Sequence, residues 1–211
     1  MENKQNMGNY IQATTTYFSR MGVSNTDDTL RLARKRFDEL GLKKVVIATS
    51  FGKTPLEALK YFKGEEIVVV NSMYGFRESG KQSLEPEVKK QMEDAGMTLI
   101  YCTHAFAGIE RSFNQKYSGI GLTQFAGQLF KMLGEGFKVC LEMAIMAADC
   151  GGVNVNEEAM FIAGTVRGCD TAVVLVPAHS NAFFDLQIKE LVCMPRVRSL
   201  KGQPLYHQVN K

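Results

Sequence analysis

The sequence predicts an α/β domain with a mixed, mainly parallel sheet, and three observations carry that prediction. Short β-branched runs, Val45-Val-Ile-Ala48 and Ile67-Val-Val-Val70 among them, are apolar on both faces, as central parallel strands must be. Amphipathic stretches of helical length alternate with these runs, the pattern of a parallel sheet covered by helices. The last two runs are joined by only seven residues, Gly164 to Asp170, too few for a crossover, so that pair should be antiparallel.

Residues 1–20 are polar and Thr-rich and are expected to be a flexible arm, with a single ligand-binding domain over 21–198 and a C-terminal tail over 199–211. Ser24 to Asp27 offers helix-capping chemistry, and Leu30, Ala33, Phe37 and Leu40 recur at helical spacing until Gly41. After the strand at Val45 a helix is predicted from Pro55, because Thr54-Pro55-Leu56-Glu57 reads as a capping box with proline at the first helical position. The strand at Ile67 is followed by a helix through Val88, Met92 and Ala95, then by a strand over Met97 to Tyr101. Two helices, about 123–133 and 137–150, precede strands at Met160 to Ala163 and Thr171 to Val176. The stretch Phe184 to Met194 fits either a strand or a helix.

Composition narrows the function classes. The 211 residues are 45% hydrophobic and 22% charged, a profile that supports a real core without metal or disulfides. Basic residues exceed acidic ones by 25 to 22 with no like-charge run, which argues against a nucleic-acid partner. The five cysteines form no C-x-x-C pair and read as buried hydrophobes of a cytoplasmic protein. The N-terminus lacks a secretory pattern, and Phe137 to Ala148 is too short and too charged to span a bilayer, so neither export nor membrane insertion is expected. No metal-ligand spacing is present in the sequence.

Three stretches carry candidate chemistry. The elbow Thr49-Ser50-Phe51-Gly52-Lys53-Thr54 follows a parallel strand, where ligands of open α/β sheets sit, and its hydroxyls, glycine and lysine suit a phosphate. It is not a P-loop, because the first glycine of that motif would fall on Ile47; a plain strand-to-helix turn is the bland alternative. The second stretch sets Gly164, Thr165, Arg167, Gly168, Asp170 and Thr171 in one turn, with Arg167 suited to bidentate anion contact. The third is the long, poorly periodic connection Cys102 to Gly121, where His104, Glu110 and Arg111 could do acid/base or anion work and Phe106 and Phe113 could stack on a planar ring. His104 could equally cap a helix. His179 follows the antiparallel strand and reads as structural, and Glu142 with Asp149 reads as a narrow solvated stripe.

Five ordered motifs give a family resemblance: Ala48-Thr-Ser-Phe-Gly-Lys-Thr54; Gly108-Ile-Glu-Arg-Ser112; Lys138-Val-Cys-Leu-Glu142 with Met146-Ala-Ala-Asp149; Gly164-x-x-Arg-Gly-x-Asp-Thr-Ala172; and Lys189-Glu-Leu-Val-Cys-Met-Pro-Arg196. Together they resemble the stand-alone, largely archaeal family named after the pyruvate kinase C-terminal α/β domain. The resemblance implies a three-layer α/β/α fold with about five strands in order 3-2-1-4-5, the last antiparallel. It does not imply pyruvate kinase activity, since the catalytic barrel has no counterpart here. It implies flavin mononucleotide (FMN) as cofactor, with a binding set of Thr49, Ser50, Phe51, Gly52, Lys53, Thr54, His104, Gly108, Arg111, Gly164, Thr165, Arg167, Gly168, Asp170 and Thr171. A flavin-dependent oxidoreductase is one expectation. A non-catalytic sensor of a phosphorylated metabolite, or a hydrolase or isomerase using His104 as acid or base, are the alternatives. A small-molecule phosphate ligand is the expected partner, with self-association into a homo-oligomer as a further expectation.

Overall fold

Helices and strands alternate along the chain as their apolar spacing dictates. The computed structural model describes residues 10–197. In order these are β1 (Thr16–Phe18), α1 (Thr26–Leu40), β2 (Val45–Ala48), α2 (Lys53–Ala58), β3 (Ile67–Ser72), α3 (Pro86–Asp94) and β4 (Thr98–Cys102). There follow α4 (Gly108–Tyr117), α5 (Leu122–Phe130), α6 (Glu135–Asp149), β5 (Ala159–Ala163), β6 (Thr171–Val176) and β7 (Gln187–Pro195). Among the described residues the strands form one sheet in the order β1-β7-β6-β5-β2-β3-β4.

β2 sits centrally, parallel to β3 on one side (Ile47 opposite Val69) and to β5 on the other (Ile47 opposite Ile162), and β4 runs parallel to β3. β6 is antiparallel to β5, as its short connection requires. The five expected strands, here β2 to β6, therefore stand in the order 3-2-1-4-5 with the last reversed. Two further strands extend the sheet. β7 pairs antiparallel with β6 through an irregular register, and β1 pairs parallel with β7.

The β7 strand was ambiguous in sequence because its charged residues break the apolar period. Glu190 is held by the Arg36 guanidinium of α1 through Nε–Oε1 and Nη2–Oε2 contacts of 2.8 Å each. Thr16 to Phe18, expected in a flexible arm, is instead an edge strand, anchored further by the Thr15 hydroxyl donating to the Leu191 carbonyl at 2.8 Å. Residues 1–9 of the expected arm and the tail 199–211 lie outside the described residues.

Side chains alternate along each strand and feed two cores. Val45, Ile47, Ile67 and Val69 pack against Leu30, Ala33 and Phe37 of α1, Ala58 of α2 and Met92 of α3. Val46, Val68, Val70 and Phe161 pack against α6 through Phe137, Leu141 and Ala144. Each fully buried large side chain contributes about 1.5–3 kcal/mol, and the two cores fix a three-layer α/β/α arrangement. Among the described residues no helix is long and apolar enough to cross a membrane.

Three local expectations are corrected. The connection after β4 is not an irregular loop, because α4 occupies Gly108 to Tyr117; Ile109, Phe113 and Tyr117 keep helical spacing, on a face turned away from the core. Glu142 is not part of a solvated stripe but is 2% exposed, ion-paired to Lys138 and accepting the Phe106 backbone N–H at 3.0 Å. Phe106 is not available to a ligand ring; it is buried against Phe130 and Phe183 at centroid distances of 5.5 and 5.9 Å.

Candidate functional site

Parallel β2, β3, β4 and β5 bring the segments after Ala48, Ser72, Cys102 and Ala163 to one edge of the sheet. The elbow and the glycine turn leave adjacent strands and are neighbours. The β4 loop carrying His104 lies two strands from the elbow, with the β3 loop between them.

At the elbow, the Thr49 N–H donates to the Val70 carbonyl at 3.0 Å, extending the ladder by one residue, and the Thr49 hydroxyl accepts the Gly52 N–H at 2.8 Å. Gly52 is the N-cap of α2, with φ 86° and no side-chain cap, so the expected capping box at Thr54 does not form and Thr54 is buried instead. A Cβ on Gly52 would sit 2.6 Å from Met92 Cε and 3.1 Å from Leu84 Cδ1, so glycine is required both for space and for the left-handed backbone. Phe51 is exposed with the Arg77 guanidinium 5.0 Å from its ring, and Lys53 is exposed, 3.8 Å from Glu57.

In the glycine turn, buried Asp170 is the organiser. One carboxylate oxygen accepts the Gly22 N–H at 2.8 Å and the other the Thr171 hydroxyl at 2.9 Å, and Thr165 also donates to it. Burial pushes the Asp170 carboxyl up, against the lowering effect of these donors. Asp170, Thr165 and Thr171 are buried and hold the turn from inside. Gly168 lies under the entry to α1, where a Cβ would meet Val23 Cα at 2.8 Å.

The tip of this turn points outward. The Arg167 N–H donates to the Thr165 carbonyl at 2.8 Å around Val166, whose φ of 67° makes a γ-turn of the strained hand. The Arg167 side chain is exposed and has no acidic partner among the described residues.

On the β4 side, the His104 imidazole stacks on Phe76 at 4.6 Å, and the Arg111 guanidinium stands 4.7 Å from the centroid of the same ring. Burial lowers the His104 pKa, nearby Glu142 opposes that shift, and Lys138 and Arg111 add to it. Gly108 begins α4, and the His104 carbonyl accepts its N–H at 3.0 Å. Glu110 caps α5, accepting the Gln124 N–H at 3.0 Å and the Thr123 hydroxyl at 2.5 Å. His179 stands apart, 3.4 Å from Asp149, beyond the end of antiparallel β6.

Sequence reasoning missed Asn71. It is 2% exposed, one residue beyond Val70 and paired with Tyr101, and its Oδ1 accepts the Ser72 N–H at 2.7 Å. Its Nδ2 is a buried donor with no partner among the described residues. A polar residue closing an apolar strand was the available signal. Phe76 was also missed, because its loop has no recognisable motif.

An open cleft of about 330 Å³ lies at the opposite, amino edge of the sheet, lined by Lys43, Lys44, Gly151 to Asn154 and Glu157 to Ala159. Its lysines are engaged, Lys43 with Glu157 at 2.9 Å and Lys44 with the Glu65 carbonyl at 2.6 Å. It contains none of the candidate residues.

No protein-family model matches the chain. Among solved structures, the NH3-dependent NAD synthetase from Campylobacter jejuni subsp. jejuni NCTC 11168, in complex with the nitrate ion, is similar at a TM-score of 0.38 and 12% identity. The likeness covers 67% of this chain and 56% of that one, so the chain spans little more than half that protein's length.

Proposed function

We propose that this chain binds a phosphate-bearing small molecule at the carboxyl edge of its parallel strands, with FMN as the leading ligand, in the manner of the stand-alone pyruvate kinase C-terminal-like family. The observation that carries the reading is the orphaned Asn71 Nδ2 beside the elbow. A buried amide without an acceptor costs about 1–3 kcal/mol, and an incoming anionic oxygen relieves that cost. Other donors stand at the same edge: the O–H of Thr49, whose oxygen already accepts the Gly52 N–H, the Ser50 hydroxyl and the unpaired Arg167. A set of groups with protons to donate suits phosphate.

The ring end of the ligand follows from spacing. The His104 loop is two inter-strand steps from the elbow, about 10 Å, so one ligand touching both must be extended, with its phosphate at one end and a planar group at the other. The Phe76, His104 and Arg111 cluster offers stacking surfaces for such a group. These residues fit FMN: Thr49, Ser50, Asn71 and Arg167 would hold the phosphate, and Phe76, His104 and Arg111 would border the ring. When bound, FMN would supply electron-transfer chemistry. His104, kept neutral by burial, is suited to accept a proton at an imidazole nitrogen.

The test is titration of the purified protein with FMN, followed by visible absorbance and thermal shift. A perturbed flavin band and a raised Tm are expected, and Asn71→Asp, which turns the donor into an acceptor, should weaken binding about 10- to 100-fold. Stabilisation by sugar phosphates alone would favour the sensor reading. A flat spectrum with no thermal shift from either ligand class would overturn the proposal.

A further inference from the structure

Outside the candidate site, a solvent-facing apolar stripe runs over two neighbouring helices. On α4, Ile109, Phe113 and Tyr117 recur every fourth residue, and on α5, Leu122, Phe125 and Leu129 follow helical spacing. Ile109 and Leu122 are 89% and 84% exposed, and the other four are each at least 48% exposed. Ile120 in the connecting turn, and Met132 and Leu133 after α5, continue the patch and are exposed as well.

We infer that this α4–α5 face is the interface between two copies of the chain. Summed over these side chains, the exposed area is on the order of 1,000 Å². That exceeds the roughly 300–600 Å² of the largest patch on a typical monomer and meets the roughly 800 Å² per partner that a stable interface requires.

Composition selects the occupant. α5, Leu-Thr-Gln-Phe-Ala-Gly-Gln-Leu-Phe, contains no charged residue, the signature of homodimer interfaces rather than of the more polar transient contacts. The charges of α4 are already engaged within the chain: Glu110 on the α5 amides, Arg111 over Phe76 and Lys116 over Tyr117. A membrane-surface helix would instead carry lysine and arginine along its polar face. Two helix pairs meeting about a two-fold axis form a four-helix layer with every apolar stripe covered.

The test uses the full chain in sedimentation equilibrium from 0.5 to 100 μM. The wild type should sediment at twice the chain mass at micromolar concentration, and Leu122→Glu/Phe125→Glu should raise the dimer dissociation constant at least 100-fold while keeping the wild-type far-UV circular dichroism. Ile11→Glu, at a 91% exposed site just before β1 on the sheet edge opposite β4, should leave the dimer intact and controls for a general charge effect. If the charged pair misfolds, Ile109→Lys on the neighbouring helix serves as the second variant. A monomer at 100 μM, a dimer indifferent to the α4 and α5 substitutions, or co-flotation of the wild type with phosphatidylcholine/phosphatidylglycerol vesicles would each overturn the inference.

Discussion

Replacing Glu142 separates two contributions that its single carboxylate makes to the core. The side chain is 2% exposed, its partner Lys138 is 14% exposed, and it also holds the Phe106 N–H at 3.0 Å. Removing one member of a buried ion pair costs about 3–5 kcal/mol, because the other charge is left uncompensated. An orphaned buried amide costs about 1–3 kcal/mol more. Glu142→Gln keeps an acceptor for Phe106 and loses only the charge; since Lys138 can still turn toward water, a loss of about 3 kcal/mol is expected. Glu142→Leu loses both interactions and should cost about 4–6 kcal/mol. Lys138→Met combined with Glu142→Gln removes the stranded charge and should recover at least 2 kcal/mol relative to Glu142→Gln alone. Urea denaturation, with midpoint and slope fitted separately, measures each value. In thermal melts a 3 kcal/mol loss lowers Tm by about 6–12 °C at this chain size. If Glu142→Gln lies within 0.5 kcal/mol of the wild type, or the double variant is no more stable than the single, the pair does not hold the β4 loop onto α6 as argued.

Gly52→Ala combines a left-handed backbone with a clash against α3 and should cost about 2–4 kcal/mol, read as a lower urea midpoint; a neutral result would mean that the elbow can move. The His104 imidazole should titrate below 6.5, followed by NMR and assigned with His104→Gln. Its folded pKa is depressed, so its contribution to stability is present above the ordinary histidine value and is lost as pH falls through the folded pKa; a midpoint at or above 6.5 contradicts the burial argument. Of the five thiols, Cys150 is exposed, Cys102 is half-buried with its pKa pushed up to about 12 chiefly by burial, and the other three are buried. One thiol should therefore react rapidly with a disulfide reagent at neutral pH, Cys150→Ser should abolish that phase, and denaturant should expose all five. Rapid reaction of three or more thiols in the native protein would refute the assignment.

The α/β class and the reversal of β6 were legible because they rest on local signals: two-faced apolar runs such as Val45 to Ala48, and a link of seven residues that cannot cross over. The order of the five strands β2 to β6 came from the family resemblance alone, since no local signal says which strand lies beside which. The segments of the candidate site were legible for the same reason, as hydroxyls, glycines and Arg167 stand directly after strand ends. Other features depended on contacts distant in sequence. β7 is a strand because Arg36 of α1 neutralises Glu190, and β1 because the free edge of β7 accepts it. Asp170 looked like a ligand-facing residue until folding brought Gly22 and Thr165 to its carboxylate. Phe106 and Glu142 looked exposed until α5 and α6 enclosed them, and Asn71, just past the expected strand, drew no attention until the sheet left its amide buried without an acceptor. Local sequence determines which element forms and where it turns, because hydrogen-bond pattern and apolar period act over a few residues. Which polar groups end up buried, and which of them remain unpaired, is decided by packing between segments far apart in the chain.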